Sequence, residues 1–249
     1  MKERKPTGYV IYRGPSLLDG SPIVAIALVH STNAKTGDMV QTYILRADEN
    51  PLQAMMAGRD AAICGDCKHR PSTGGACYVN VGQGPNAVYK ALERGNYPDA
   101  TPEAVGLMVA GRMVRLGTYG DPAAVPVHVW QWLVAQAAGR TGYTHQWRNE
   151  ALAGEHVAHL MDLVMASCDS EAEADEARAM GYRYFRVRAN GGAVARGEFI
   201  CPASNEAGKR KTCSTCGACD GSERGALKAS PTIIVHGAKA RRFIAIAAA

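Results

Sequence analysis

Four cysteines, Cys201, Cys213, Cys216 and Cys219, fall within nineteen residues, the last three at two-residue intervals among Gly, Ser and Thr. Cys64, Cys67 and Cys77 form a second group, so seven of the eight cysteines are clustered and only Cys168 stands alone. Thiolates spaced in this way turn inward around one inorganic centre, and Gly217 supplies the backbone freedom that a tight wrap needs. Disulfides are the plainer chemistry, but a chain of 249 residues does not need them to hold a core. Structural zinc usually takes two separated Cys-x2-Cys pairs. One cysteine followed by three in a row is closer to the runs that hold iron-sulfur clusters, with zinc as the alternative metal. The upstream group offers three thiolates, with His69 close by. Three protein ligands leave one metal corner open, as substrate chemistry requires.

The elements that must position these groups read as one α/β domain over residues 1–249, with Cys-rich loops at 64–77 and 201–219. After an extended lead-in over 1–20, the apolar, β-branched run 23–29 is a buried strand, and 39–45 is its neighbour. Helices are expected at 51–62, at 85–94 and after Thr101-Pro102, where Thr101 caps and Pro102 takes the first position. From residue 113 strands and helices alternate: strand 113–116, helix 123–138, strand 141–144, strand 161–166, helix 171–180 and strand 182–187, with a last strand at 232–235. This βαβ rhythm forces parallel strands, and parallel α/β sheets bind ligands at the carboxyl ends of their strands.

That rule selects a rim. Tyr119, Asp121, His145 and Arg188 are the candidate catalytic residues; Ser167, Asp169 and His236 are candidate ligand-binding residues at the same strand ends. The polar loop after the first strand adds Asn33 and Lys35, a lysine there being suited to a phosphate or carboxylate. Each has a plainer reading. Asp121 before Pro122 caps a helix, 167–170 forms a capping box before Glu171, and Asn33 stabilises an ordinary turn. Cys168 reads as a packing residue. Gly82-x-Gly84 lacks the third glycine of a dinucleotide loop, and neither a P-loop nor a Gly-x-Ser-x-Gly elbow is present.

Net charge is +5, with twelve Lys or Arg against four Asp or Glu over residues 181–249, so the preceding 180 residues carry −3. The basic terminal third offsets ligated thiolates or attracts a phosphate-bearing partner, but it lacks the aromatic-interleaved basic block of a specific nucleic-acid reader. No apolar run is long enough to cross a bilayer, and Met-Lys-Glu-Arg-Lys-Pro is not a secretory leader; a cytoplasmic protein is expected.

The order Ser31-Thr-Asn33-Ala-Lys35-Thr36-Gly37, Cys64-x2-Cys67, Cys77-Tyr78, Gly120-Asp121, Thr144-His145, Ser-x-Asp-Ser, Cys201-Pro to Cys219 and His236-Gly237 resembles a largely phage-encoded group, the gene product 88-like proteins. The likeness spans nearly the whole chain. That group is distantly similar to radical S-adenosylmethionine enzymes, which implies a partial (βα) barrel and a host-cytoplasm location. On the resemblance, Cys64, Cys67 and Cys77 hold a 4Fe-4S cluster whose free iron takes S-adenosylmethionine, and Cys201, Cys213, Cys216 and Cys219 hold an auxiliary cluster. The main class of radical enzymes uses Cys-x3-Cys-x2-Cys, whereas this chain has Cys-x2-Cys-x9-Cys.

Three functional classes follow. In one, an iron-sulfur protein carries out radical or redox chemistry on a small-molecule or nucleotide ligand at the rim. In another, zinc staples the loops of a binding module whose basic third docks on nucleic acid or a host protein. A third class is a phage protein that inhibits a host system by surface contact alone.

Overall fold

The computed structural model describes residues 5–152, 154–223, 225 and 228–247. Nine strands form one open sheet: β1 (Gly8–Pro15), β2 (Pro22–Leu28), β3 (Met39–Arg46), β4 (Met113–Tyr119), β5 (Gly139–Thr144), β6 (Met165–Cys168), β7 (Tyr184–Arg188), β8 (Glu198–Ile200) and β9 (Ser230–Ile234). Their order is β1-β2-β3-β4-β5-β6-β7-β9-β8, with the first two pairings antiparallel and all later ones parallel. The chain is therefore α/β with a mostly parallel sheet, as its βαβ rhythm predicts.

Burial on both faces explains the strand composition. Ile23, Val24, Ala25, Ile26 and Ala27 of β2 are all fully buried, which a strand can sustain only when both sides are covered. On one face, Val114 and Leu116 of β4 meet Trp130 and Leu133 of α5 (Val127–Val134) and Leu160 and Leu163 of α6 (Gly154–Leu163) in the main core. Further along that face, Ala166 and Cys168 pack against Ala174 and Ala177 of α7 (Glu171–Ala179), which gives Cys168 its expected packing role. The other face carries Arg115, Thr141, Tyr143 and Phe185 by strand alternation.

Helix starts follow local chemistry. Thr101 accepts from the Ala104 N–H at 3.2 Å to open α4 (Pro102–Val109), and Ser170 accepts from Glu173 N–H at 3.1 Å to open α7. Asn50 opens α1 (Pro51–Met56) the same way.

Several boundaries differ from the sequence reading. The expected helix over 51–62 divides into α1 and the single turn α2 (Ala61–Cys64). That over 123–138 becomes a 3₁₀ turn, Pro122–Ala124, and α5, because Pro126 supplies no N–H to continue the turn. The strand expected at 161–166 begins at Met165, since Val157, Leu160 and Leu163 keep helical spacing through the end of α6. The extended lead-in is a true edge strand, β1, flanked by the 98–100 segment through Val10 N–H to Pro98 O at 2.9 Å and Ala100 N–H to Val10 O at 2.8 Å. Four elements complete the described chain: the 3₁₀ turn Pro71–Thr73, α3 (Gly84–Glu93), the turn α8 (Cys213–Cys216) and α9 (Ala240–Ala247).

Candidate metal centres at the sheet

The carboxyl ends of β4, β5 and β6 bring Asp121, His145 and Asp169 together. Asp121 Oδ1 accepts from Thr144 Oγ1 at 2.7 Å and Ala123 N–H at 3.0 Å, and Oδ2 accepts from His145 N–H at 2.7 Å. It thus caps the 3₁₀ turn, as the plainer reading held, and also ties β4 to β5. Burial pushes its carboxyl up to about 6 against the pull of those three donors. Burial likewise pushes His145 down to about 4, with Asp169 opposing and His69 reinforcing the shift. Tyr119, buried at the end of β4, has its phenol raised by burial and by the nearby Cys64.

The first cysteine loop lies over this end. Asp121 N–H donates to Ile63 O at 2.6 Å and Gln146 Nε2 to Cys64 O at 3.0 Å, so the loop is fastened to the ends of β4 and β5. Cys64, Cys67 and Cys77 lie within electrostatic reach of one another; burial raises all three thiols, Cys67 to about 12. Two of the sulfurs accept main-chain N–H bonds from two residues downstream, Cys67 from His69 and Cys77 from Val79, both lowering the thiol against burial. Hydrogen bonds of this kind stabilise a thiolate and tune a bound metal. The loop is too tight for a side chain at Gly75, where a Cβ would stand 2.2–2.5 Å from the His69 main chain.

His69 belongs to this site although its sequence position alone says little. Its Nε2 meets Asp169 Oδ2 at 2.6 Å, its ring stacks on Phe243 of α9 at 5.2 Å, and the His145 ring stands 5.7 Å away. Lys68 Nζ adds contacts of 2.9 Å to Asp169 and 3.0 Å to Glu173. Burial raises Asp169, but the His69 and Lys68 contacts outweigh it and hold the carboxyl below its usual range. Lys239, just before α9, donates to Cys77 O at 2.6 Å.

The second group occupies a different place. Cys201, Cys213, Cys216 and Cys219 line one cavity of about 30 Å³ with Lys35, Thr141, Tyr143 and Phe185, against the sheet face rather than at the strand-end rim. Cys213 N–H donates to Lys35 O at 3.0 Å, and Gly142 N–H to Cys219 O at 3.2 Å. Tyr143 Oη donates to Cys219 Sγ at 3.2 Å, and Gly217, at φ 61°, closes the α8 turn. Burial raises Cys219 to about 12 and also raises Cys201, whose sulfur accepts the Ala203 N–H. All eight cysteines are free thiols. Arg115 stands 4.3 Å over the Tyr143 ring and within electrostatic reach of Tyr78 and Cys213.

Other expected site residues are placed elsewhere. Lys35 faces the second cysteine group, and Asn33 caps its own loop by accepting from Lys35 N–H at 3.0 Å; both sit before the amino end of β3, away from the rim. Arg188 is fully engaged in a structural clamp, donating to both Glu206 oxygens at 2.7 and 2.8 Å, to Thr232 Oγ1 at 3.0 Å and to Gly192 O. Ser167 meets Trp147 through its carbonyl, at 3.1 Å from the indole nitrogen. His236 is exposed beyond β9, 6.3 Å from the Tyr78 ring.

Among the described residues, no three His, Cys, Asp or Glu side chains converge closely enough to hold a metal ion as they stand. The donor set nevertheless fits one chemically: three thiols, or four, lie in one loop, and thiolates held near one another repel until a cation is present. Among the described residues no helix is long and apolar enough to cross a membrane. The chain matches no protein-family model, no curated protein and no solved structure.

Proposed function

We propose that this chain is an iron-sulfur protein that carries out redox chemistry at the carboxyl ends of β4, β5 and β6. The observation that carries this reading is the grouping of seven free thiols into two sets, one over the strand ends and one against the sheet face. A cluster bound at Cys64, Cys67 and Cys77 supplies one-electron transfer. Around it the chain's own groups act on protons: His145 is held neutral as an acceptor, and Asp121 holds or releases a proton near neutral pH. Cys201, Cys213, Cys216 and Cys219 take the second centre, with Arg115 opposing thiolate charge.

The finer form of this reading is a phage-encoded protein of the gene product 88-like kind, with the parallel strands as a partial (βα) barrel and S-adenosylmethionine on an open iron corner. Protein purified without oxygen should contain iron and sulfide and absorb broadly in the visible range. Zinc without iron would overturn the redox reading in favour of a zinc-stapled binding module. The nitrogen and sulfur donors around His69 suit zinc as well, and for that module a salt-sensitive affinity for DNA is the supporting result.

A further inference from the structure

We infer that His69 Nδ1 is the fourth protein ligand of the centre at Cys64, Cys67 and Cys77, making it a closed three-sulfur, one-nitrogen site. This rests on the reading that the group binds metal, and it specifies the coordination that metal receives.

Three observations converge on His69. Its main chain sits between two of the cysteines, with the N–H donating to Cys67 Sγ and the carbonyl accepting from Cys77 N–H at 2.8 Å. Its side chain is 9% exposed and its Nε2 is taken by Asp169 at 2.6 Å. Nδ1, the ring nitrogen nearer that main chain, is buried without a hydrogen-bond partner among the described residues. A buried polar nitrogen left unpaired costs roughly 1–3 kcal/mol, so it calls for an explanation.

Metal ligation gives one. Asp169 Oδ2 takes Nε2 at 2.6 Å and Lys68 Nζ at 2.9 Å, which leaves Nδ1 as the ring nitrogen open to a metal. A histidine that donates one N–H to a carboxylate and offers the other nitrogen to a metal is the usual second-shell arrangement at metal sites. Phe243 stacks on the ring and fixes its plane. The thiols as they stand do not converge; on loading they turn in and release their protons to the solvent. A closed site leaves no corner for S-adenosylmethionine, so this coordination keeps the electron-transfer reading of the first centre and sets aside its finer, S-adenosylmethionine form.

The test uses the full chain carrying Cys213→Ser and Cys216→Ser, so that only the first centre loads. With iron bound, pulsed electron paramagnetic resonance of the reduced protein should show a histidine nitrogen coupling that shifts on ¹⁵N-histidine labelling. The coupling should vanish in His69→Ala. His69→Cys should retain the metal without the coupling. With zinc bound, X-ray absorption should count three sulfurs and one nitrogen, and four sulfurs in His69→Cys. Metal present with no histidine nitrogen overturns the ligand assignment while leaving the proposed function intact. Absence of metal from the unsubstituted protein overturns both.

Discussion

The guanidinium of Arg183 is wholly buried and donates to the Asp220 carboxylate, one residue beyond Cys219. It also donates to Gly221 O at 2.9 Å, Ala218 O at 3.0 Å and Ala229 O at 2.9 Å, so one side chain sets the path of the chain leaving the second cysteine group. Arg183→Leu removes the donor shared by the Asp220 carboxylate and three carbonyls, with Lys228 Nζ still 3.6 Å from Asp220 Oδ2. It should cost about 3–5 kcal/mol of stability, the range for breaking a buried pair from one side. Denaturant unfolding measures the loss, and mass spectrometry after thiol labelling should show Cys219 reacting before Cys64.

Asp121 and His145 respond to pH in opposite senses. Asp121 rises from its usual 3.8 to about 6 in the fold, so its proton is bound more tightly when folded and the stability it lends is lost as pH rises through that interval. His145 falls from 6.5 to about 4, so the unfolded chain binds the extra proton and stability grows as pH rises over nearly the same window. Each is worth up to about 3 kcal/mol, and the two nearly cancel. Stability of the unsubstituted protein should change little between these values. His145→Gln should become less stable as pH rises through the window, and Asp121→Asn more stable. Slopes of the same sign in the two variants would refute the pairing.

Arg188 offers a control on the rim. Its donors are spent on Glu206, Thr232 and Gly192, so Arg188→Met should lower stability by about 2–4 kcal/mol through the carboxylate left behind. Metal bound per folded molecule should stay as it was. A loss of metal at unchanged thermal midpoint would return Arg188 to the working site.

Phe243 covers the first cysteine group by stacking on His69, and it is 6% exposed. Phe243→Ala should open α9 locally and cost about 1–3 kcal/mol, less than a deep core truncation because the helix is short and lies at the surface. Labelling of Cys67 and Cys77 should accelerate at least tenfold, while Cys201 and Cys219 keep their rates.

Much of the sheet was legible because buried parallel strands leave a plain mark. The runs at 23–29 and 39–45 and the alternation after residue 113 depend on local composition alone. The edge strands β1 and β8 were not legible: Gly8–Pro15 mixes burial with exposure, and Glu198–Ile200 is three half-buried residues with no pattern to read. At the site, the strand-end rule found Asp121, His145 and Asp169. It also put Arg188 on the rim as a working residue, because position at a strand end does not say which partners a side chain will meet. His69 drew notice only for lying near Cys67. What distinguishes it is a partner one hundred residues away, Asp169, and no local pattern carries that.

The order of the last strands bears on how the molecule is made. β8 lies outside β9, so the slot beside β7 stays vacant until residues 230–234 arrive to fill it. Pro231 of β9 also lines the cavity of the second cysteine group, so that cavity gains its last wall only when the strand made after the loop has docked between β7 and β8.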